Sequence, residues 1–171
     1  LKFSSDALPQ LVSKDDPDGV AQHNRIAKFL GAGTRYSGQH LIMVSELGER
    51  FVEGPIPSYY GGYFTLGYQL HNWVPAFTVA FMRTRKNSER DPLSQKLGRD
   101  IFNISQNSLT FDLRYNIDQS SDFKVELERV YLLSGSYGFF DGFRHGAELD
   151  PTATPPKHPV MIGRIAYDLS F

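Results

Sequence analysis

The 171-residue chain contains no cysteine, which excludes disulfide bonds, thiolate nucleophiles and zinc sites with sulfur ligands. It also contains no run of about 18 to 20 apolar residues, so a transmembrane helix is excluded. The net charge at pH 7 is only −1, and no basic field indicates nucleic acid as a partner. The sequence therefore does not have the marks of a disulfide scaffold, a helical membrane protein or a nucleic-acid-binding protein.

Residues with the spacing of catalytic or metal sites are also scarce. The chain has five histidines, and none stands in an HExxH motif or another spacing typical of metal ligands. His40 and Ser45 have no partner spacing that would support nucleophilic catalysis. The stretch DDPDG at residues 15–19 is rich in oxygen ligands that suit Ca²⁺, but a solvated acidic turn is the favoured interpretation. We expect no enzyme activity, no cofactor and no metal ion.

Aromatic residues are abundant, with 13 Phe and 9 Tyr, and 15 glycines accompany them; this mixture favours β structure. The most regular segment is residues 108–130, in which apolar and polar residues alternate along two arms separated by a short polar turn. A period of two residues predicts strands with one apolar and one charged face, because successive side chains of a strand point to opposite sides. This segment is predicted to be an antiparallel hairpin.

The same alternation recurs along the chain and predicts an all-β fold. The predicted strands are 24–36, 39–48, 58–70, 73–84, 106–116, 120–131 and 160–171. Short connections alternate strictly with long ones, which lie at about 49–57, 85–105 and 132–159. In an up-and-down antiparallel sheet, this order places all short turns at one end and all long loops at the other. Transmembrane β-barrels sort their loops in this way.

Aromatic side chains and charges support the membrane interpretation. Aromatic residues beside the short-turn end of the strands predict an interfacial girdle: Tyr36, Tyr68, Trp73, Tyr115 and Phe171. Charged residues in the middle of the last three strands would line a water-filled lumen: Asp112, Arg114, Lys124, Glu126, Glu128, Arg164 and Asp168. A soluble β-sandwich or lipocalin-like barrel would also accommodate these charges on a solvated face, so the charges alone do not decide between the two architectures.

Three segments resemble bacterial outer-membrane porins. The terminal strand MIGRIAYDLSF is similar to the porin C-terminal signature, in which an alternating strand ends on Phe and is read by the outer-membrane assembly machinery; Tyr167, Leu169 and Phe171 would carry that signal. GGYFTLGYQLHNWVPAFTVAF and SLTFDLRYNIDQSSDFKVELERV resemble porin hairpins. The resemblance covers residues 24–171. It implies a bacterial outer-membrane location, with membrane lipid and the assembly machinery as partners, and passive diffusion of small hydrophilic solutes or ions through a trimer of barrels with 16 or 18 strands, most often 16.

The strand count predicts that this barrel is not complete within the chain. If the last strand ends on the periplasmic side, the first strand begins outside, and residues 1–23 belong to an external loop. Bacterial single-chain barrels have an even number of strands, and an open edge in lipid leaves unpaired backbone groups. We therefore expect further strands from an N-terminal part or from another chain. Two alternatives to a pore remain: a non-porin barrel that acts as a scaffold or adhesin through its long loops, and a soluble β-barrel or sandwich that binds a ligand.

Overall fold

A computed structural model describes residues 26–53, 57–86, 103–133, 135, 136, 138, 143–144, 148–149 and 157–169. Its regular structure is β-strand throughout the described residues. The strands are β1 (Ala27–Ser37), β2 (Leu41–Val52), β3 (Tyr59–Tyr68), β4 (Trp73–Thr84), β5 (Gln106–Asn116), β6 (Ser121–Leu132), β7 (Phe143–Arg144), β8 (Glu148–Leu149) and β9 (Val160–Leu169).

Seven of these strands form one antiparallel sheet in the order β1-β2-β3-β4-β5-β6-β9. Each strand pairs with the next along the chain in unbroken register, while β7 and β8 pair only with each other. The prediction of seven up-and-down antiparallel strands is thus confirmed. β1 and β9 are the two edges of this sheet, and they do not pair with each other.

The predicted bounds agree closely with the strands, with one larger difference. Strands 73–84 and 106–116 begin and end at the predicted residues. β2 continues to Val52, four residues beyond the prediction of 39–48, so the first long connection begins at Glu53 rather than at residue 49. The short β7–β8 hairpin within 132–159 was not predicted. The expectations for residues 1–23 and for Phe171 lie outside the described residues.

The connections between strands alternate between short and long, as predicted. The short turns span residues 38–40, 69–72 and 117–120, and the longer connections span 53–58, 85–105 and 133–159. In the turn between β3 and β4, the backbones of Leu70 and Trp73 exchange two 2.8 Å hydrogen bonds around His71 and Asn72. His71 has φ 54°, a left-handed conformation that two-residue hairpin loops require.

The sheet has two chemically different faces. The apolar face carries the side chains that share a side with Phe77, and most of its mid-strand residues are large and apolar, including Leu47, Phe64, Phe111, Leu127 and Ile165. The polar face carries those that share a side with Thr78. Contacts between described elements join only neighbouring strands, so no described element forms a second layer on either face.

Candidate functional site

The polar face consists of two parts. Across β1 to β4, small or uncharged residues prevail, and directly paired positions join Thr65 with Thr78 and Gly48 with Gly61. The hydroxyls of Thr65 and Thr78 lie 2.8 Å apart and form a hydrogen bond across the strands. Ionisable side chains are concentrated across β5, β6 and β9. The candidate site is this charged part, because it holds most of the ionisable side chains of the polar face of the described sheet.

An ion-pair network joins five side chains of the charged part, which we call the charged cluster: Asp112, Lys124, Glu126, Glu128 and Arg164. Lys124 Nζ lies 2.9 Å from Asp112 Oδ1 and 3.0 Å from Glu126 Oε2. Arg164 pairs with Glu126 through one guanidinium nitrogen, and its Nη2 lies 2.7 Å from Glu128 Oε2. Lys124 and Arg164 therefore link three carboxylates of β5 and β6 into one network that extends to β9.

The strand register explains why these ion pairs are needed. Asp112 stands directly opposite Glu126, and like charges in directly paired positions destabilise a sheet. Lys124, diagonal to Asp112, offsets that repulsion by contacting both carboxylates. Arg164 lies directly opposite Glu126 on the other side. Each carboxylate of the cluster thus has a cation within contact distance.

Closer to the short turns, two further pairs of like charges lie side by side on the polar face. Arg114 stands opposite Lys124, and Asp122 stands opposite Asp168. From the short turns inward, the first row of paired residues is acidic and the second is basic. The third row, with Asp112, Glu126 and Arg164, again has a net negative charge. Acidic groups outnumber basic ones in this part. The surface presents a weakly negative field rather than one strong charge.

The two faces also differ in accessibility, and in an unexpected direction. Apolar-face side chains in the middle of the sheet are well exposed, with Phe77 at 47%, Phe111 at 47% and Leu127 at 52%. On the polar face, Thr110 is only 9% exposed, and Asp112 and Glu126 are half-buried. In the middle of the sheet, the carboxylates of the charged cluster are thus more sheltered than the large apolar side chains, while the side chain of Arg164 at the edge strand is 51% exposed.

Aromatic rings mark the apolar face at the short-turn end. Trp73, Tyr115, Phe123 and Tyr167 occupy directly paired positions on four adjacent strands, and the rings of Trp73 and Tyr115 lie 4.5 Å apart. This row extends the predicted girdle by Phe123 and Tyr167, which the pairing of β5, β6 and β9 aligns with Tyr115. On β3, the ring of Tyr68 is stacked on His40 of the adjacent turn at 5.7 Å.

A second aromatic level lies on the same face at the long-loop end, which the sequence prediction did not include. Phe81 and Tyr131 lie in one row, with Asn107 of β5 between them. The ring of Tyr60 packs edge-on against Phe81 at 6.4 Å. Arginine guanidinium groups stand over these rings: Arg83 over Phe81, Arg85 over Tyr60 and Arg129 over Tyr131, at 5.1 to 6.0 Å. The apolar band is therefore bounded by aromatic rings at both ends.

The structure places the predicted site residues of the described strands on two faces of the sheet. All seven predicted pore-lining residues project from the polar face of β5, β6 and β9, and five of them form the charged cluster. The predicted girdle residues on described strands, Tyr36, Tyr68, Trp73 and Tyr115, lie on the apolar face near the short turns. Tyr36 is set two paired positions further into the sheet than Tyr68, because it pairs with Met43 whereas Tyr68 pairs with Leu41.

No site for a metal ion emerges from the described residues, in which no three His, Asp or Glu side chains are grouped so as to hold one. The described ranges contain no helix long and apolar enough to cross a membrane. Comparison with protein-family models, with curated proteins and with solved structures gives no match to this chain. The chemistry and geometry of the two faces are therefore the basis for assigning a function.

Proposed function

We propose that this chain forms part of the wall of an outer-membrane β-barrel of the porin type. Its polar face would line a water-filled pore for small hydrophilic solutes or ions, and its apolar face would contact lipid. The observation that carries the proposal is the reversed accessibility of the two faces, with apolar side chains such as Phe77 exposed and charged ones such as Glu126 sheltered. A water-soluble protein minimises free energy with the opposite arrangement.

The cost of leaving the apolar face in water supports this proposal. Eleven of its aromatic side chains are between 37% and 59% exposed: Tyr36, Phe51, Tyr60, Phe64, Tyr68, Trp73, Phe77, Phe81, Phe111, Phe123 and Tyr167. With about 200 Å² for each ring, they expose on the order of 1,000 Å², compared with about 300–600 Å² for the largest patch of a typical soluble monomer. At about 25 cal/mol per Å², covering this area would gain roughly 25 kcal/mol. Such a gain is large compared with the usual 5–15 kcal/mol net stability of a domain, so it favours an apolar cover over this face.

Lipid fits this role better than a second sheet. A soluble β-sandwich covers its apolar face with another sheet about 10 Å away, and no described strand lies there. A second sheet would also not require rings at both ends of the apolar band. In a bilayer, aromatic side chains favour the headgroup level, and the row at Trp73 and the row at Phe81 would mark the two interfaces.

The dimensions also support a membrane-spanning arrangement. Trp73 and Phe81 lie eight positions apart on β4, which is about 27 Å along a strand. A tilt of about 40° reduces this rise to roughly 20 Å along the membrane normal, close to the apolar band of about 25 Å found in such barrels. The loop sorting is consistent with the same orientation, with short turns on the periplasmic side and long connections outside.

The open edges imply partner strands. β1 and β9 each leave one side of their backbone without a strand in the described sheet, and unpaired backbone groups in lipid cost several kcal/mol each. We propose that strands outside this chain's sheet close the barrel against both edges. Tyr167 and Leu169 are 59% and 50% exposed on the edge strand β9, where the assembly machinery could reach them.

The charged cluster would give the pore its electrostatic character. Fixed charges on a lumen wall select solutes by sign, and acidic groups slightly outnumber basic ones across β5, β6 and β9. This wall would therefore contribute a weak preference for cations. The ion pairs of Lys124 and Arg164 would hold the carboxylates in place rather than leave them free to close the path.

Reconstitution of the full-length protein in planar lipid bilayers tests the proposal. We expect detergent-dependent solubility, gel mobility that changes on heating, and discrete current steps that grow linearly with voltage. A protein that remains monodisperse in water without detergent would overturn the membrane assignment. A protein that inserts in lipid and shows heat-modifiable mobility but carries no current would instead point to a scaffold that acts through its long loops.

A further inference from the structure

A trough crosses three strands of the polar face, far from the charged cluster. Gly31, Gly48 and Gly61 occupy directly paired positions on β1, β2 and β3, so a strip of bare backbone runs across the sheet. A cavity of about 480 Å³ lies along this strip, within the range of small-molecule pockets. We call this cavity the glycine trough.

Glycine is not required by the backbone at two of these positions. A Cβ atom on Gly31 or Gly48 would have ordinary contacts, 3.6 Å and 3.7 Å from a neighbouring carbonyl oxygen. Only Gly61 is sterically constrained, because a Cβ there would lie 2.6 Å from the carbonyl oxygen of Phe81. Glycine in a strand interior weakens the strand. The empty floor at Gly31 and Gly48 is therefore not explained by packing.

One wall of the trough is basic and aromatic. In the row next to the glycines, towards the long connections, Phe29, Arg50 and Tyr59 are directly paired across the three strands. The guanidinium carbon of Arg50 lies 5.5 Å from the centroid of the Tyr59 ring, a cation–π contact that holds the group in place. Arg50 Nε is buried and donates no hydrogen bond to the described residues. This arginine is thus positioned with donors to spare.

The opposite wall carries an acidic group. Glu46 and Tyr63 are directly paired on the other side of the glycine strip, and the Tyr63 hydroxyl donates a 3.2 Å hydrogen bond to Glu46 Oε2. Arg50 and Glu46 stand four positions apart on β2, about 13 Å along the strand. The charges therefore lie at opposite walls, too far apart to pair with each other across the glycine floor.

We propose that the glycine trough is a binding subsite for small organic carboxylates with a flat apolar body. The carboxylate would bind the guanidinium of Arg50, whose planar fork matches carboxylate geometry. The apolar body would lie over the glycine floor between the rings of Tyr59 and Tyr63. Glu46 would disfavour a second carboxylate at the far wall, so monocarboxylates would bind in preference to dicarboxylates of similar length.

This inference rests on the proposed pore function, because the trough lies on the face that would line the lumen. It adds a solute class to that function. The charged cluster, on β5, β6 and β9, would act on the sign of all ions. The trough, on β1 to β3, would retain one chemical class for longer than others.

Single-channel recording with the full-length protein tests the subsite, with benzoate as the probe and neutral benzamide as its isostere. We expect benzoate to interrupt the current in a concentration-dependent way, and benzamide to act at least about tenfold more weakly because it lacks the charge-assisted hydrogen bonds. Arg50→Met should abolish the interruptions by benzoate. Glu46→Gln should strengthen binding of the dicarboxylate terephthalate more than binding of benzoate.

A variant that fills the glycine trough without changing its charge tests whether the open floor is needed for binding. Gly48→Val fits the strand and fills the floor, so it should abolish benzoate interruptions while Arg50 is retained. Gly163→Val is the matched control, because Gly163 lies on the apolar face of β9, where a Cβ would only approach Leu127 at 3.8 Å.

Equal interruption of wild type and Gly48→Val, or equal action of benzamide and benzoate, would overturn the subsite. A channel that conducts normally in that case leaves the pore function intact, whereas absence of conductance in the wild type refutes the pore function itself.

Discussion

The two faces of this sheet differ in what they expose and in what holds them together. On the apolar face, large side chains such as Phe77, Phe111 and Leu127 are close to half exposed, with no described element packed over them. On the polar face, side chains interact with one another: Lys124 and Arg164 connect three carboxylates across β5, β6 and β9. Side chains therefore contact one another across the strands of the polar face, whereas no described element covers the apolar face.

These two faces would suit the proposed membrane arrangement, with an apolar environment on one side and water on the other. In the described sheet, every strand between β1 and β9 pairs with a neighbour on both sides. Such full backbone pairing is the condition that a strand must meet in lipid. Charge on the apolar face of the described strands is confined to the long-loop end, at Lys28, Glu49, Arg83 and Arg129. At that level the headgroups of a bilayer would meet them.

The largest expected effect on stability comes from a lysine on the apolar face of β4, compared with a lysine on the polar face of the same strand. Phe77 and Thr78 are neighbours near the middle of β4 and point to opposite faces. Phe77→Lys should destabilise the full-length protein in lipid vesicles by about 2–4 kcal/mol, because it places a cation near the bilayer midplane. Thr78→Lys should cost clearly less, since its ammonium can reach water in the lumen. Urea unfolding in vesicles, followed by tyrosine and tryptophan fluorescence, gives both values.

A larger loss of stability in Thr78→Lys than in Phe77→Lys would contradict the proposed contact of the apolar face with lipid. If the apolar face were covered by water or by an exchangeable protein partner, Phe77→Lys would be nearly neutral once the partner was removed. Thr78→Lys would then be the more damaging change, because it disrupts the hydrogen bond between the hydroxyls of Thr65 and Thr78.

The next effect concerns the charge of the polar face. Glu126→Lys combined with Glu128→Lys should shift the reversal potential of the proposed pore towards anion preference, because two negative charges become positive and the net charge of the polar face rises by four units. The matched control is Glu49→Lys, which makes the same type of change at the rim of the apolar face, where Glu49 pairs with Arg85 at 2.6 Å. Equal shifts for the double variant and the control would mean that the charged cluster does not line the path.

Much of the fold could be predicted from the sequence, because alternation reports strands directly. Residues 73–84 and 106–116 alternate cleanly and end at polar turns, and the structure agrees with their predicted bounds. β2 was predicted too short, since Gly48 interrupts its apolar pattern and Glu49 and Arg50 resemble the start of a polar loop. In the sheet, the register with β1 and β3 keeps these residues in the strand.

The contacts of the site could not be predicted, because they depend on register between distant strands. Alternation assigns Arg164 and Glu128 to one face, but only the pairing of β6 with β9 brings them within 2.7 Å. The glycine trough has the same origin. Gly31, Gly48 and Gly61 show no period along the sequence, and the lengths of two connections decide that they fall in one row. The second aromatic level at Phe81 and Tyr131 required the same information.

A smaller, spectroscopic effect sharpens the position of the apolar band. Trp73 is the only tryptophan of the 171 residues, and it is 47% exposed on the apolar face at the short-turn end. Its fluorescence, taken as the difference between wild type and Trp73→Phe, should be quenched more by lipids brominated near the headgroup than by lipids brominated near the chain terminus. Stronger quenching by the deep bromines would place the girdle inside the hydrocarbon. No quenching by either lipid would mean that this face does not contact lipid.

The smallest expected effect lies outside the membrane band, in the turn between β5 and β6. The backbone N–H and the hydroxyl of Ser120 donate hydrogen bonds of 2.8 Å and 2.9 Å to Asp118 Oδ1, and they lower the pKa of this carboxyl below its ordinary value. A lowered pKa in the folded state means that the ionised group stabilises the fold above the unfolded-state pKa of about 3.9, and that this stabilisation is lost as the pH falls through the folded-state pKa.

Asp118→Ala should therefore lower the urea midpoint slightly at pH 7 and cause a smaller difference from wild type below about pH 3. The matched control is Gln119→Ala, an uncharged change in the same turn, which should affect the urea midpoint equally at both pH values. A difference between wild type and Asp118→Ala that stays constant from pH 7 to pH 2.5 would show that the turn does not depend on the ionised carboxylate.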